Sequence, residues 1–298
     1  MGATRVLLEG LVDYAGLFPP AGLGMGEAVA NYAQYRHGPD RWMLGRFIVP
    51  VRRLAEFEEA AAGHLEQRPV GDPWRLSALA GEDLAADVAA IGEFNCRHAA
   101  AGAAAVVVDA IELRADSADR VAKAERAVPA WATAFVEVPL EPDPEPLIAA
   151  IGAAGLRAKA RTGGLTPDAI PDAGSVLRFL AACIRHEVPF KATAGLHHPV
   201  RAEYPLTYDA AAPRGVMHGY LNVFLAAALL RAGGTEQDAR RLLEERDASA
   251  FGSDGATITW RDRTLTAPQL EAARGLALSF GSCSFTEPVD DLATLNLG

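Results

Sequence analysis

The sequence predicts a single α/β domain, residues 1–298, folded as a (β/α)₈ barrel with an insertion before the last strand. Three observations carry this. Short apolar runs alternate with segments of helical periodicity, and each pair takes roughly 25 to 35 residues, as βα units do. Eight such runs can be counted, the number that closes a parallel barrel. No repeat, low-complexity tract or linker marks a domain boundary. A seven-stranded or open doubly wound sheet is the rival arrangement.

The elements follow in order. "GLVDYAG" (10–16) reads as the first strand, although Val6, Leu7, Leu11 and Val12 also suit a short helix. "LGRFIVP" (44–50) precedes the helical "RRLAEFEEAAAGHL", and "RLSALAG" (75–81) precedes "EDLAADVAAIGEFNCRHAAA". "AAAVVVDA" (103–110) leads into a charged helix, and "ATAFVEVPL" (132–140) into "PEPLIAAIGAAG". "LRAKARTGG" (156–164) leads into "DAGSVLRFLAACIRHE", while "PFKATAG" (189–195) is followed, after a loop, by an apolar helix at 216–231. The last strand is "SFGSCSF" (279–285). Between 235 and 275 the rhythm breaks into a helix, a hairpin at "ATITWRDRTLT" and a second helix, which reads as the insertion. Two loops, 17–26 and the aperiodic 195–215, would hang over the carboxyl ends of the strands, where barrels build their sites.

Composition narrows the function. Half of the 298 residues are hydrophobic and 22% are charged, an ordinary globular balance. The net charge of −10, with no lysine- or arginine-rich run, argues against nucleic acid as a partner. The apolar stretch 215–230 is too short and interrupted to span a bilayer and reads as a buried helix. The first residues do not read as a signal peptide. Cys96, Cys183 and Cys283 fit neither a disulfide framework nor a zinc motif, so a cytoplasmic protein is expected. The chain is compatible with a homo-oligomer.

Strand side chains alternate between faces. In "LRAKART" the small residues Ala158 and Ala160 suit packing against helices, so Arg157, Lys159 and Arg161 are expected to point into the barrel. The same parity aims Lys191 and Thr193 inward in "PFKATAG", Phe135 and Glu137 in "AFVEVP", and Val107 and Asp109 in "VVVDA". Burying an ammonium costs several kcal/mol unless it is paired or deprotonated. Two explanations remain open. One is an internal ion-pair network. The other is a nucleophilic amine whose pKa is lowered toward neutrality by desolvation beside a second cation, a change worth roughly 3–4 kcal/mol. Such an amine attacks a carbonyl, and the iminium it forms is an electron sink for an adjacent C–C bond.

The ordered motifs "VVVDA", "FVEVP", "AKARTGG", "FKATAG" and "FGSCSF" resemble the second half of deoxyribose-phosphate aldolase and related class I aldolases, which are (β/α)₈ barrels. The likeness covers roughly 103–195 and 279–285. It implies a lyase in which Lys159 forms the Schiff base and Lys191 tunes it. It further implies Asp109 as a proton-handling carboxylate, and Gly281 and Ser282 as a turn that holds phosphate. Arg161, the "HHPVR" continuation and the 235–275 insertion differ from that pattern. The "DYAGLFPP" and "KATAGLHHP" stretches also resemble bacterial proteins of unassigned function, which implies no chemistry.

The resulting expectation is an aldolase-like enzyme, without cofactor, acting on a small anionic carbonyl compound. Lys159, Lys191, Glu137 and Asp109 are its catalytic candidates, and Arg161, Thr193, His197, His198, Gly281 and Ser282 its substrate-binding candidates. The second reading is a divalent-metal lyase or isomerase using His197, His198 and Glu137, with His218 a further ligand candidate. The third is a non-catalytic barrel that binds or assembles. His218 and Asn222 lie one helical turn apart and share a face. Asp13 and Tyr14 reach toward the mouth from the first strand. Cys283, with no histidine at a telling distance in the sequence, reads as a small buried thiol.

Overall fold

Strands covered by helices on one side and by their own sheet's interior on the other bury both faces, and closure leaves no edge to protect. The chain takes this route. The computed structural model describes residues 2–66, 72–99, 105–295 and 297. Seven successive strands run parallel: β1 (Val12–Tyr14), β2 (Leu44–Pro50), β3 (Trp74–Leu79), β4 (Val106–Arg114), β5 (Thr133–Glu137), β6 (Arg157–Arg161) and β7 (Phe190–Thr193). The hairpin β8 (Ala202–Pro205) and β9 (Arg214–Met217) stands outside the barrel, as does the antiparallel sheet β10 (Phe251–Ser253), β11 (Thr257–Trp260) and β12 (Arg263–Thr266). The strand β13 (Ala277–Ser282) pairs with β7 on one side and β1 on the other, closing an eight-stranded barrel and excluding the open sheet.

The beginning of the chain satisfies both readings of its apolar residues, with a helix at Ala3–Leu8 followed by β1. The helix over 82–101 is present as Leu84–Ala99; its expected last residues, and the expected start of the next strand at 103, lie outside the described residues. Helix Tyr220–Arg231 is buried from Tyr220 through Leu229, which accounts for its apolar run. The insertion contains helix Glu236–Leu243, a three-stranded sheet where a hairpin was expected, and helix Ala267–Arg274, which packs on Ala3–Leu8 and Tyr220–Arg231. The 195–215 loop is less irregular than its sequence implies, because β8 pairs with β9 from Ala202↔Met217 to Pro205↔Arg214. No helix among the described residues is long and apolar enough to cross a membrane.

Two details position the site. In β4 the register against β3 shifts, with Leu76 opposite Val108 but Ser77 opposite Ala110, so Asp109 is an extra residue and the inward parity changes after it. At the ends of β6 and β7 the backbones nearly touch. A Cβ on Gly163 would lie 2.7 Å from the Gly195 Cα, and Ala194 and Gly195 have φ of 63° and 74°. Glycine is required at Gly195 by its left-handed conformation and at Gly163 by that approach.

Candidate active site

β6 and β7 are adjacent and in register, Lys159↔Lys191 and Arg161↔Thr193. Ala158, Ala160 and Ala192 face outward into the helical layer and are buried there. The cations therefore point into the barrel, as the alternation requires.

There they meet carboxylates from three other strands. Lys191 Nζ donates to Asp13 Oδ2 at 2.6 Å and to Glu112 Oε1 at 2.7 Å. Lys159 Nζ lies 2.8 Å from Glu112 Oε2 and 2.8 Å from Glu137 Oε2. Ser77 donates to Glu112 at 2.7 Å and Ser279 to Asp13 at 2.8 Å. Arg161 and Arg114 then approach the outer oxygen of Glu137, at 3.3 and 3.4 Å. The result is one alternating chain, Asp13, Lys191, Glu112, Lys159, Glu137, running from the sealed interior to the mouth.

Burial opposes the charge on Glu112, but the two ammonium groups outweigh it and hold the carboxyl well below the usual range. Glu137 is lowered in the same way: burial opposes its charge, and Lys159 and the arginines prevail. Desolvation works against the Lys191 ammonium, yet Asp13 and Glu112 raise its pKa above the ordinary lysine value. Lys191 is thus a fixed cation. Its side chain is 0% exposed, whereas Lys159, at 4%, opens onto the mouth.

That mouth is a cavity of about 520 Å³. Lys159, Glu112, Glu137, Arg114 and Arg161 form its polar side, and Phe18, Pro19, Pro20, Ile48, Leu79 and Met217 its apolar side. Both loops marked in the sequence contribute to it. Thr193, Gly281 and His197 also line it. Charged and apolar walls together suit a small organic anion.

Several expected residues lie elsewhere. Asp109 is not beside the lysines. It sits on the amino-terminal half of β4, where Arg46 Nε and Arg75 Nε donate to it at 2.6 and 2.7 Å. The bulge is the reason, since it gives the central inward position to Glu112. Ser282 is buried, accepts a hydrogen bond from its neighbour Ser284 N at 3.3 Å, and does not line the cavity. His198 stacks on Tyr204 with ring centroids 3.5 Å apart, and its Nδ1 lies 2.5 Å from Asp291, so it braces the hairpin against the last helix and does not line the main cavity. The expected metal set is not assembled, because His197 and His198 each engage a different acid while Glu137 engages cations. Among the described residues no group of three or more His, Cys, Asp or Glu is arranged to hold a metal ion.

Sequence reasoning missed Glu112 and Arg114, which fall in the part of β4 read as helix, and Asp13 proves to be a network member. It also missed that His197 meets Cys283, with Nε2 3.8 Å from Sγ.

His218 has a structural role. Arg201 donates to its Nδ1 at 2.9 Å, and its Nε2–H donates to the Pro171 carbonyl at 2.8 Å. Burial, first, and the Arg201 charge lower its pKa to about 4, against the Pro171 bond and Asp172, which favour the imidazolium. The ring is thus neutral in the fold and takes a proton more readily when unfolded. Between about 6.5 and about 4, stability should fall with pH, at up to about 1.4 kcal/mol per pH unit from this one group. Urea midpoints across that window should show a steeper decline for the native chain than for His218→Gln; parallel lines would refute the assignment.

No protein-family model matches the sequence, and no curated protein matches it.

Proposed function

We propose that the protein is a lyase of the class I aldolase type, making or breaking a C–C bond beside the carbonyl of a small anionic compound through an imine on Lys159. The observation that carries this reading is the position of one amine. Lys159 Nζ stands at the floor of a cavity of about 520 Å³, 2.8 Å from each of two carboxylates, with Arg114 and Arg161 above it.

The residues divide the work as follows. Arg161 and Arg114, whose side chains are 46% and 71% exposed, bind the substrate's anionic end. Engaging them draws positive charge away from Glu137, which then becomes the better acceptor for the Lys159 proton. The free amine adds to the carbonyl carbon. Glu137 returns its proton to the departing hydroxide, so that water leaves and the iminium forms. Glu137, a carboxylate again, takes the proton of the β-hydroxyl as the bond between the α and β carbons breaks and sends its electron pair into the iminium, giving an enamine, a carbonyl product and a protonated Glu137 that supplies the enamine's proton. Protonation and hydrolysis then release the second product and restore the amine. The iminium is itself the electron sink, so the reaction requires no metal or other cofactor.

Lys191 stays an ammonium throughout, beside Lys159 in the register of β6 and β7. This agrees with the roles that the likeness to the aldolases implies for the two lysines. Thr193 and Gly281 shape the wall beside them.

Borohydride reduction in the presence of small keto acids and phosphorylated aldehydes tests the reading. The expected result is a reduced adduct on the peptide carrying Lys159. Adducts confined to Lys123, the exposed lysine of helix Ala118–Ala127, or none with any member of either class, would refute it.

A further inference from the structure

β13 lies beside β7, with Gly281 opposite Thr193. Closure therefore carries the segment after β13 to the segment after β7, and three chemically reactive side chains meet there. Cys283 Sγ lies 3.8 Å from His197 Nε2, and His197 Nδ1 lies 2.7 Å from Glu287 Oε2. Tyr208, from the loop between β8 and β9, donates its hydroxyl to the same Glu287 oxygen at 3.0 Å and covers the thiol at 3.7 Å. Cys283 and His197 both line the main cavity. A second cavity of about 100 Å³ reaches His197 and Glu287 between Pro20, Leu206 and Met217.

We propose that Cys283 is a second nucleophile of this mouth, with His197 as its base and Glu287 holding that base, and that it takes the acyl group of a small ester or thioester. A nucleophile, a histidine and an orienting carboxylate form a working unit on many unrelated folds, recognised by their geometry and not by their order in the chain. The other cysteines offer a contrast: Cys96 is exposed, and Cys183 is buried with its thiol pushed up by desolvation. Burial works against the His197 imidazolium, but the hydrogen bonds of Cys283 and Glu287 raise its pKa to about 9, so the ring is neutral and able to take the thiol proton above that pH, where the burst is measured.

In the step itself, His197 Nε2 takes the thiol proton as Sγ adds to the acyl carbon. The ester or thioester bond breaks, the leaving oxygen or sulfur takes the proton from Nε2, and an acyl-cysteine remains. Water then adds to that carbon, giving its proton to His197. The thiolate departs, is reprotonated by His197, and a carboxylic acid is released. The apolar walls suit a short acyl chain. This chemistry uses none of the imine steps, so either can fail alone.

The probe is p-nitrophenyl acetate with the full chain. The expected result is a burst of nitrophenolate stoichiometric with protein, an acetyl mass on the Cys283 peptide, and an unchanged burst in Cys96→Ser. The burst should slow roughly a hundredfold in His197→Gln, the scale of a lost general base. Peptide mapping of the unmodified sequence decides without any variant: acetyl groups on other residues, with Cys283 untouched, would overturn the proposal. So would a burst that is undiminished in Cys283→Ala.

Discussion

Glu112→Leu should lower the unfolding free energy by about 3–5 kcal/mol, the usual cost of removing one partner from a buried charge pair. Glu112 is 1% exposed and bridges Lys191 at 2.7 Å and Lys159 at 2.8 Å. Its loss leaves two desolvated ammoniums with one carboxylate each, and leaves the Ser77 hydroxyl facing an apolar group. Lys191→Met should cost a similar amount, because Asp13 and Glu112 then face each other across the core. The informative variant is the double one. Removing one negative and one positive charge together leaves Lys159 with Glu137, and Asp13 with Ser279 and the Arg46 backbone N–H. The double variant should therefore lose less than the sum of the singles, with a coupling on the order of 1–3 kcal/mol. Urea midpoints at constant m measure it. Strict additivity would show that the charges do not act as a chain.

The same pairing sets an acid limit. Glu112 and Glu137 have folded pKa values lowered by their cations. Their contribution is complete above the ordinary glutamate range. It is lost as pH falls through and below that range, where the unfolded chain takes up protons the folded chain resists.

How far this was legible in the sequence depends on where local periodicity suffices. In β6 cations alternate with alanines, and in β7 Lys191 stands between Phe190 and Ala192, so parity alone placed Lys159 and Lys191 inside and Arg161 at the mouth. β2 matched its expected bounds because a short run, apolar but for Arg46, ends at Pro50. β4 failed because one extra residue at Asp109 reverses the alternation without changing the look of the sequence. Reading "VVVDAIELR" as a single strand with a bulge would have exchanged Asp109 for Glu112. The meeting of Cys283 with His197 had no local signal, as the two are 86 residues apart. It follows only from closure, which makes the last strand the neighbour of the lysine strand β7. The role of His198 was hidden for a similar reason, since its acid, Asp291, lies in the last helix.

Lys159→Met should abolish the reducible adduct and all carbonyl turnover, the largest functional effect expected of any single substitution in the barrel. Among the described residues no other amine lines the cavity, Lys191 being sealed behind it. Glu137→Gln should retain the adduct but form it about 10²–10⁴ times more slowly, the range for a lost general acid–base group. Arg161→Ala should act mainly on KM, because its guanidinium reaches the substrate's anionic end and not the reacting carbon. The stability of these variants separates a catalytic cluster from a purely structural one. An amine kept for packing is removed at a cost, whereas one kept for chemistry is removed with loss of function and, when its partner is neutralised too, with little cost or a gain in stability. Lys159→Met/Glu137→Gln removes one charge of each sign and should unfold at a urea concentration equal to or above that of the parent, while showing no adduct. A double variant that is strongly destabilised, from a parent that forms no imine with any small anionic carbonyl compound, would instead identify the chain of charges as a structural core and the barrel as a binding or assembly protein.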